Sequence, residues 1–543
     1  MDEISINKNE ADLISGSLVL VESEESVLEV PILKKGKAPF AADRRDSYFA
    51  LFAFVLGFLF ARWVLFAWQG WGVTLFTLLF CGSVTLYMLK KGVQIPKTSW
   101  LWLVVVLLIG LSFSLWTNNG LAPLHGLLLF GSAVYWILCA TGLLIQGKTS
   151  DLLLLDSYNA LLVIPFSNFG CQYKGLALLG NNKLTRGRQV FSIVLGLSLS
   201  FIVAAMVLPL LMEADSGGFA KLINGILDGF RGLGDKFWET FWQLILAVPI
   251  AAYIFGLVAG SAHKRGTGLF EKDSTLQKIS GLRILPMTTV YILMGLLCTL
   301  YIVFIGSQFP YFFSAFVGQR PEGWQIYSEY ARSGFFELCR IAVINLFVLT
   351  AANIMSQKHS RDSMFLKLLN VLLAILTVVL IATAFSKMVL YIGAYGLSMR
   401  RLLPCVFMTF MAVICGGVIA LQKWSFSITR LAVGAGVVIF CMLCIVNPDS
   451  LVARYNADRY LSGTLENFDV EILYRSGPAG VDSALKVYEQ TNDPALQFKL
   501  KEYLLAEHQQ ADEVAGEPGD SLERAHARYR ISEFYCGQSL LSE

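Results

Sequence analysis

The sequence predicts an all-α fold, a polytopic membrane helix bundle of about eleven spans with a small helical C-terminal domain. Composition is the first ground: 55% of the 543 residues are apolar, only 15% are charged, and mean hydropathy is +0.59. Clustering is the second, because the apolar residues gather into runs long enough to cross about 30 Å of hydrocarbon. Loop charge is the third. Lys and Arg are rich in alternate loops and sparse in those between, as expected when basic loops stay in the cytoplasm.

The chain opens on a polar stretch, residues 1–46, acidic up to Glu29 and then basic through Lys34, Lys35, Lys37, Arg44 and Arg45. A disordered cytoplasmic tail with its basic end at anionic headgroups is expected. The first apolar run starts near Tyr48, too far in and too long for a cleavable signal. Spans are expected near 48–68, 71–89, 100–116, 121–145, 190–212, 239–262, 286–306, 338–355, 366–390, 402–421 and 429–446. Arg62, beside Trp63 and Trp68, is expected to snorkel to the interface.

Loops carrying Lys90, Lys91 and Lys97, then Lys148 to Arg188, Lys264 to Arg283, and Lys358 and Arg361 fall on the cytoplasmic side. An odd span count then sends the C-terminal domain outside a cell membrane, taken to be bacterial. Within 151–188 the runs "LLLL" and "ALLVIPF" are too short to span, so an interfacial or re-entrant segment is expected. Phe219, Leu222, Ile223, Ile226, Leu227 and Phe230 share one face of an amphipathic helix suited to the outer surface.

Charge divides the chain. Residues 1–446 hold 34 basic against 23 acidic residues, and 447–543 hold 9 against 17, so a basic bundle carries an acidic tail. The tail reads as helices over "DSLVARYNADRYLS", "DSALKVYEQT", "PALQFKLKEYLLAEHQQ" and "DSLERAHARYRISEFY", with 510–520 as a flexible linker.

Several chemistries have no support. Cys441 and Cys444 form a CxxC inside an apolar run with no second pair, and the five histidines include no HExxH, so neither metal nor cofactor is expected. "GLLIQGKT" at 142–149 fits the phosphate-loop pattern, but it starts within a membrane span and lacks the strand, loop and helix that cradle phosphate, so no nucleotide is expected. No basic patch suited to nucleic acid is visible.

Three polar blocks carry what chemistry there is. In "YSEYARSGFFELCRIAVIN", Glu329, Ser333, Glu337 and Arg340 fall within an arc of roughly 80° on a helical wheel, with Arg332 to one side. Glu337 and Arg340 read either as an intrahelical pair or as part of a ligand site. In "SKMVLYIGAYGLSMRR", Lys387, Tyr391 and Tyr395 step by four, Gly396 suits a helix end, Ser398 suits the next N-cap, and Arg400 and Arg401 stand beside the turn. In "NPDSLVARYNADRY", Asp449, Arg454 and Asn456 follow the last span. Alternation puts all three blocks on one outer face, where opposite charges are expected to pair directly or across an anionic ligand.

"YARSGFFEL", "LYIGAYGLSMRR" and "NPDSLVARYNADRY", in that order, resemble an uncharacterised family of polytopic bacterial membrane proteins known as a domain of unknown function. The resemblance runs from "WQGWG" to about Tyr474. It departs at Lys387, where the family pattern has Arg, and in "LYRSGPAG". It implies fold and location but no activity.

Three classes of function remain. A carrier would turn the polar stripe toward a central cavity, yet no internal repeat is visible and the charges sit at one edge. A membrane enzyme acting on a lipid-linked or anionic substrate would use Glu329 or Glu337 as base and Arg400 or Arg401 for phosphate, yet the first outer loop has no acid. A non-catalytic sensory or scaffold component would meet a protein partner through the acidic tail. A non-catalytic or transport-type role is the expectation, with the bilayer as the first partner.

Overall fold

The computed structural model describes residues 40–117, 119–178, 184–214, 218–230, 234–266, 272–307, 335–357 and 363–541. Among these the chain is all helical, without a β-strand. Helix α1 (Arg44–Leu59) continues as a π-helix to Phe66, and α2 (Trp71–Lys90), α3 (Lys97–Leu115) and α4 (Ala122–Ala140) follow. A shorter apolar helix, α5 (Leu153–Ser167), and α6 (Gln172–Ala177) fill the long loop. Next come α7 (Leu184–Ala214), the amphipathic α8 (Gly218–Phe230), α9 (Asp235–Ala262) and α10 (Lys272–Ser280). The bundle closes with α11 (Met287–Ser307), α12 (Phe335–Met355), α13 (Met364–Tyr395), α14 (Met399–Leu421) and α15 (Ile428–Val446). Eleven described helices are long and apolar enough to cross a membrane, α1–α4, α7, α9 and α11–α15. They coincide with the expected spans to within a few residues.

Two apolar cores hold the bundle. One joins α1–α4 and α9 with Phe440 and Cys444 of α15, and the other joins α11–α14. Small residues let α1 and α9 approach closely: Gly57 lies against the backbone of Ala247 and Ala251, with no room for a side chain. The segment expected to be interfacial or re-entrant is α5, which packs one face on the bundle, burying Ala160 and Ile164 and leaving Leu154 and Phe166 exposed. Tyr253 of α9 donates to the Leu161 carbonyl at 3.0 Å, and Gln172 to that of Ala50 at 3.0 Å.

Contacts between turns sort the loops to two ends. At one end the start of α1 meets the ends of α2 and α9 through Asp46, Lys91 and His263. On the same side Ser427 meets Asp151, Arg430 meets Thr149, and Leu285 pairs with Met355 and Gln357. At the other end the α1–α2, α3–α4 and α13–α14 turns all meet the C-terminal helices. Each contact joins turns that an alternating bundle of eleven spans puts on one side.

Past Val446 five helices share a third apolar core: α16 (Pro448–Leu461), α17 (Val470–Ser476), α18 (Val481–Gln490), α19 (Pro494–Glu513) and α20 (Leu522–Leu541). Asn447 and Asp493 cap helices with proline at the first turn. Helix α17, capped by Asp469, was not expected. Residues 510–520 are not a loose linker. Their first part belongs to α19, and the remainder is folded by Asp520, which accepts from Gly516 N–H and pairs with Arg528 at 2.7 Å. The N-terminal reading shifts too, because Arg44 to Asp46 lie inside α1 rather than in the tail, with Asp43 as N-cap.

Candidate functional site

The acidic stripe is only partly within the described residues. Glu329, Arg332 and Ser333 lie outside them. Glu337 and Arg340 stand in the first turns of α12, both exposed, with no ion pair between them. Of the two readings given to these residues, the intrahelical pair is not formed.

The second block is a helical turn. Helix α13 has 32 residues, about 48 Å at 1.5 Å per residue, so an end projects past a hydrocarbon core of about 30 Å unless the helix tilts. Lys387 is half-buried on this helix. Gly396 ends it at φ +78, a region that favours glycine, and Ser398 is the N-cap of α14. Arg401 reaches back over Tyr391, 4.3 Å from the ring centroid, and donates to the carbonyls of Tyr395 (2.8 Å) and Gly396 (2.5 Å). Arg459 of α16 donates to the Gly393 carbonyl at 2.7 Å. Two guanidiniums thus cap the orphan carbonyls at the C-terminal end of α13, where cations are also favoured by the helix dipole. Among the described residues no carboxylate pairs directly with Arg400 or Arg401, and Arg400 is exposed.

The third block fastens the tail to that turn. Buried Asn456 accepts from Leu397 N–H and donates to Leu397 C=O, both at 2.7 Å, as a neighbouring strand would. A side chain at position 396 would overlap Asn456 Oδ1, so glycine is needed there twice over. Asn447, at φ +52, caps Ser450 N–H and donates to Glu523. Asp449 is 1% exposed and accepts from Gly120 N–H at 3.0 Å, while its Oδ1 meets no partner. Arg454 is exposed and, among the described residues, pairs only with Asp458, at 3.8 Å.

Sequence reasoning missed the rest of this junction. Glu523 accepts from Thr117 N–H at 2.9 Å, and Thr117 and Ser521 hydroxyls meet at 3.3 Å. Trp71 and Gly72 donate their N–H groups to the carbonyls of Asp520 and Pro518, both at 2.9 Å. Arg524 reaches Gln69 at 3.0 Å. Gly70, at φ +85, lies against the Gly519 backbone, leaving no room for a side chain. The signal available was "WQGWG", a tight turn whose purpose lies some 450 residues downstream.

Three buried carboxyls lie in or beside this junction. Burial pushes Asp449 up to about 6, against the Gly120 N–H that holds it down, and Glu523 adds repulsion. Burial raises Glu523, opposed by its bonds from Thr117 and Asn447. Burial lifts Glu507 to about 7, with Arg524 opposing and Glu523 assisting. Asp520, by contrast, is held below the usual range, because Arg528 and the Gly516 and Ser521 N–H groups outweigh the burial that would raise it.

At the opposite end a second polar network was also missed. Asp46, fully buried, accepts from Tyr87 Oη at 2.6 Å, pairs with Lys91 Nζ at 2.9 Å and meets His263 Nε2 at 3.2 Å. Arg45 donates to the Lys90 carbonyl. The network ties three span ends together. No group of three or more metal-ligating side chains lies among the described residues.

No curated protein and no solved structure matches the chain. The model of one family, the domain of unknown function DUF4153, matches residues 103–487, which covers most of the bundle and the first three C-terminal helices. The eleven spans make the chain an integral, multi-pass membrane protein, and that match makes it a member of the DUF4153 family.

Proposed function

We propose that this protein is a non-catalytic scaffold or sensory component, which holds its C-terminal helices in fixed register on the outer end of the membrane bundle. One observation carries the reading. Three of the polar residues that looked like a site are spent on fastening: Asn456 on Leu397, Arg401 on the α13 carbonyls, where Arg459 joins it, and Asp449 on Gly120. A catalytic or transport site would leave such donors aimed at a substrate. The surface so presented includes Phe498 and Leu505, two turns apart on one stripe of α19 and both exposed, as a protein-binding face requires. The basic bias of alternate loops supports an orientation with this face outside the cytoplasm.

In-cell photo-crosslinking tests the reading. A photoreactive residue at Phe498 should give one discrete protein adduct, and the same residue at lipid-facing Leu296 should give none. The adduct should vanish when Asn456→Leu frees the tail. Absence of an adduct at Phe498, or one indifferent to Asn456→Leu, contradicts the proposal.

A further inference from the structure

The two cores of the bundle meet at a seam, where α3 and α4 face α14 and α15 across a cavity of about 610 Å³. Its wall is apolar, with Ile109, Leu128, Phe407, Phe410 and Val437 contributing. Two of the three hydroxyls in the wall are already engaged: Ser132 donates to the Leu129 carbonyl and Tyr135 to Thr149, and the third is Ser157 of α5. A polar cargo would lose its hydration there and find little more than the Ser157 hydroxyl in return. The volume falls in the range of small-molecule sites.

Shape narrows the occupant. The wall runs from Val433 to Leu443 on α15 and from Leu124 to Tyr135 on α4. At 1.5 Å per residue that is about 15–17 Å, the thickness of one leaflet in a core of about 30 Å. Both ends of the seam are closed by contacts between its two sides. At one end Asp449 accepts from Gly120, and Ser427 and Arg430 bond Asp151 and Thr149 at the other. Leu124, Leu128 and Phe407 remain exposed at the rim, so the open side faces the membrane interior.

We propose that the seam binds one acyl chain of a bilayer phospholipid as a fixed ligand that packs between the two cores. The chain enters sideways from its leaflet and supplies the apolar contacts that α3, α4, α14 and α15 leave unmade.

The full-length protein in phosphatidylcholine nanodiscs, doped with phosphatidylcholine bearing a diazirine acyl chain, provides the test. Photoadducts should concentrate on Phe410 and Val437, above the density at Ile292 and Leu296, which are 70% and 69% exposed on the face of α11. Gly131→Leu should abolish the seam adducts and leave those on α11, since a Cβ at Gly131 meets nothing within 4 Å. Gly436→Leu, whose Cβ lies 3.6 Å from Phe410, fills the seam from the other side if the first variant does not fold. Seam labelling no denser than on α11, or unchanged in the filled variants, overturns the proposal. So does preferential labelling by a diazirine polyprenyl phosphate, which would assign the seam to an isoprenoid chain.

Discussion

Replacing Asn456 by Leu is the sharpest perturbation of the junction. The side chain makes two hydrogen bonds of 2.7 Å to one residue, Leu397, which is 7% exposed. Leucine keeps the volume and removes both bonds, leaving an N–H and a C=O buried without partners. Each orphaned group costs about 1–3 kcal/mol, so docking should weaken by roughly 2–6 kcal/mol. At 1.4 kcal/mol per factor of ten, the undocked population rises about 30-fold or more. Limited trypsinolysis in mild detergent reads this population when cleavage is slow against reclosing. Arg454→Ala is the control, because its exposed 3.8 Å pair contributes about 0–1 kcal/mol. If Asn456→Leu is cut no faster than Arg454→Ala, the reciprocal pair does not hold the tail.

The remaining predictions concern charge and topology. Asp449 sits at about 6 when docked against 3.8 in water, so docking is strongest below about pH 4 and weakens as pH rises through about 6. Asp449→Asn should therefore raise Tm at pH 7.5, by up to about 3 kcal/mol in stability, and flatten the pH dependence; a lower Tm, or an unchanged slope, would refute this. Lys91→Met leaves buried Asp46 without its cation and should cost about 3–5 kcal/mol, read as lost detergent-extractable protein. Adding Asp46→Asn should restore part of it, whereas additive losses would show that the pair is not coupled. A membrane-impermeant maleimide on cells stripped of any wall should label exposed Cys536 and spare buried Cys171. Labelling of Cys536 only after permeabilisation would put the tail inside and the basic-loop argument in error.

The spans were legible because length and hydropathy alone decide whether a helix can cross a bilayer, and no partner is needed to read them. The α13–α14 turn was legible for the same local reason, since Gly396 and Ser398 announce a helix end and a restart. What Arg401 does there was not, because its acceptors are backbone carbonyls, which no sequence pattern displays. Sequence alone pointed to acids as its partners, directly or across an anionic ligand, and did not point to the backbone. Residues 514–520 have a linker's composition, yet they are ordered by the "WQGWG" turn, whose N–H groups take up their carbonyls. Asp46 hid at the edge of a basic stretch, and its partners Lys91 and His263 are brought to it only by the packing of α1, α2 and α9. Asp449 was singled out as polar and placed on the correct block, but its burial against Gly120 is a tertiary fact.

Amide hydrogen exchange of the three turns that receive the tail tests the central claim most directly. Trp71, Gly72, Thr117, Gly120 and Leu397 all donate their N–H groups to the C-terminal residues. A clamped tail predicts slow exchange at all five, and their joint acceleration in Asn456→Leu. Exchange at these amides as fast as in the exposed 423–426 turn at the opposite end, or acceleration confined to Leu397, would show that the tail is not held as one body on the bundle.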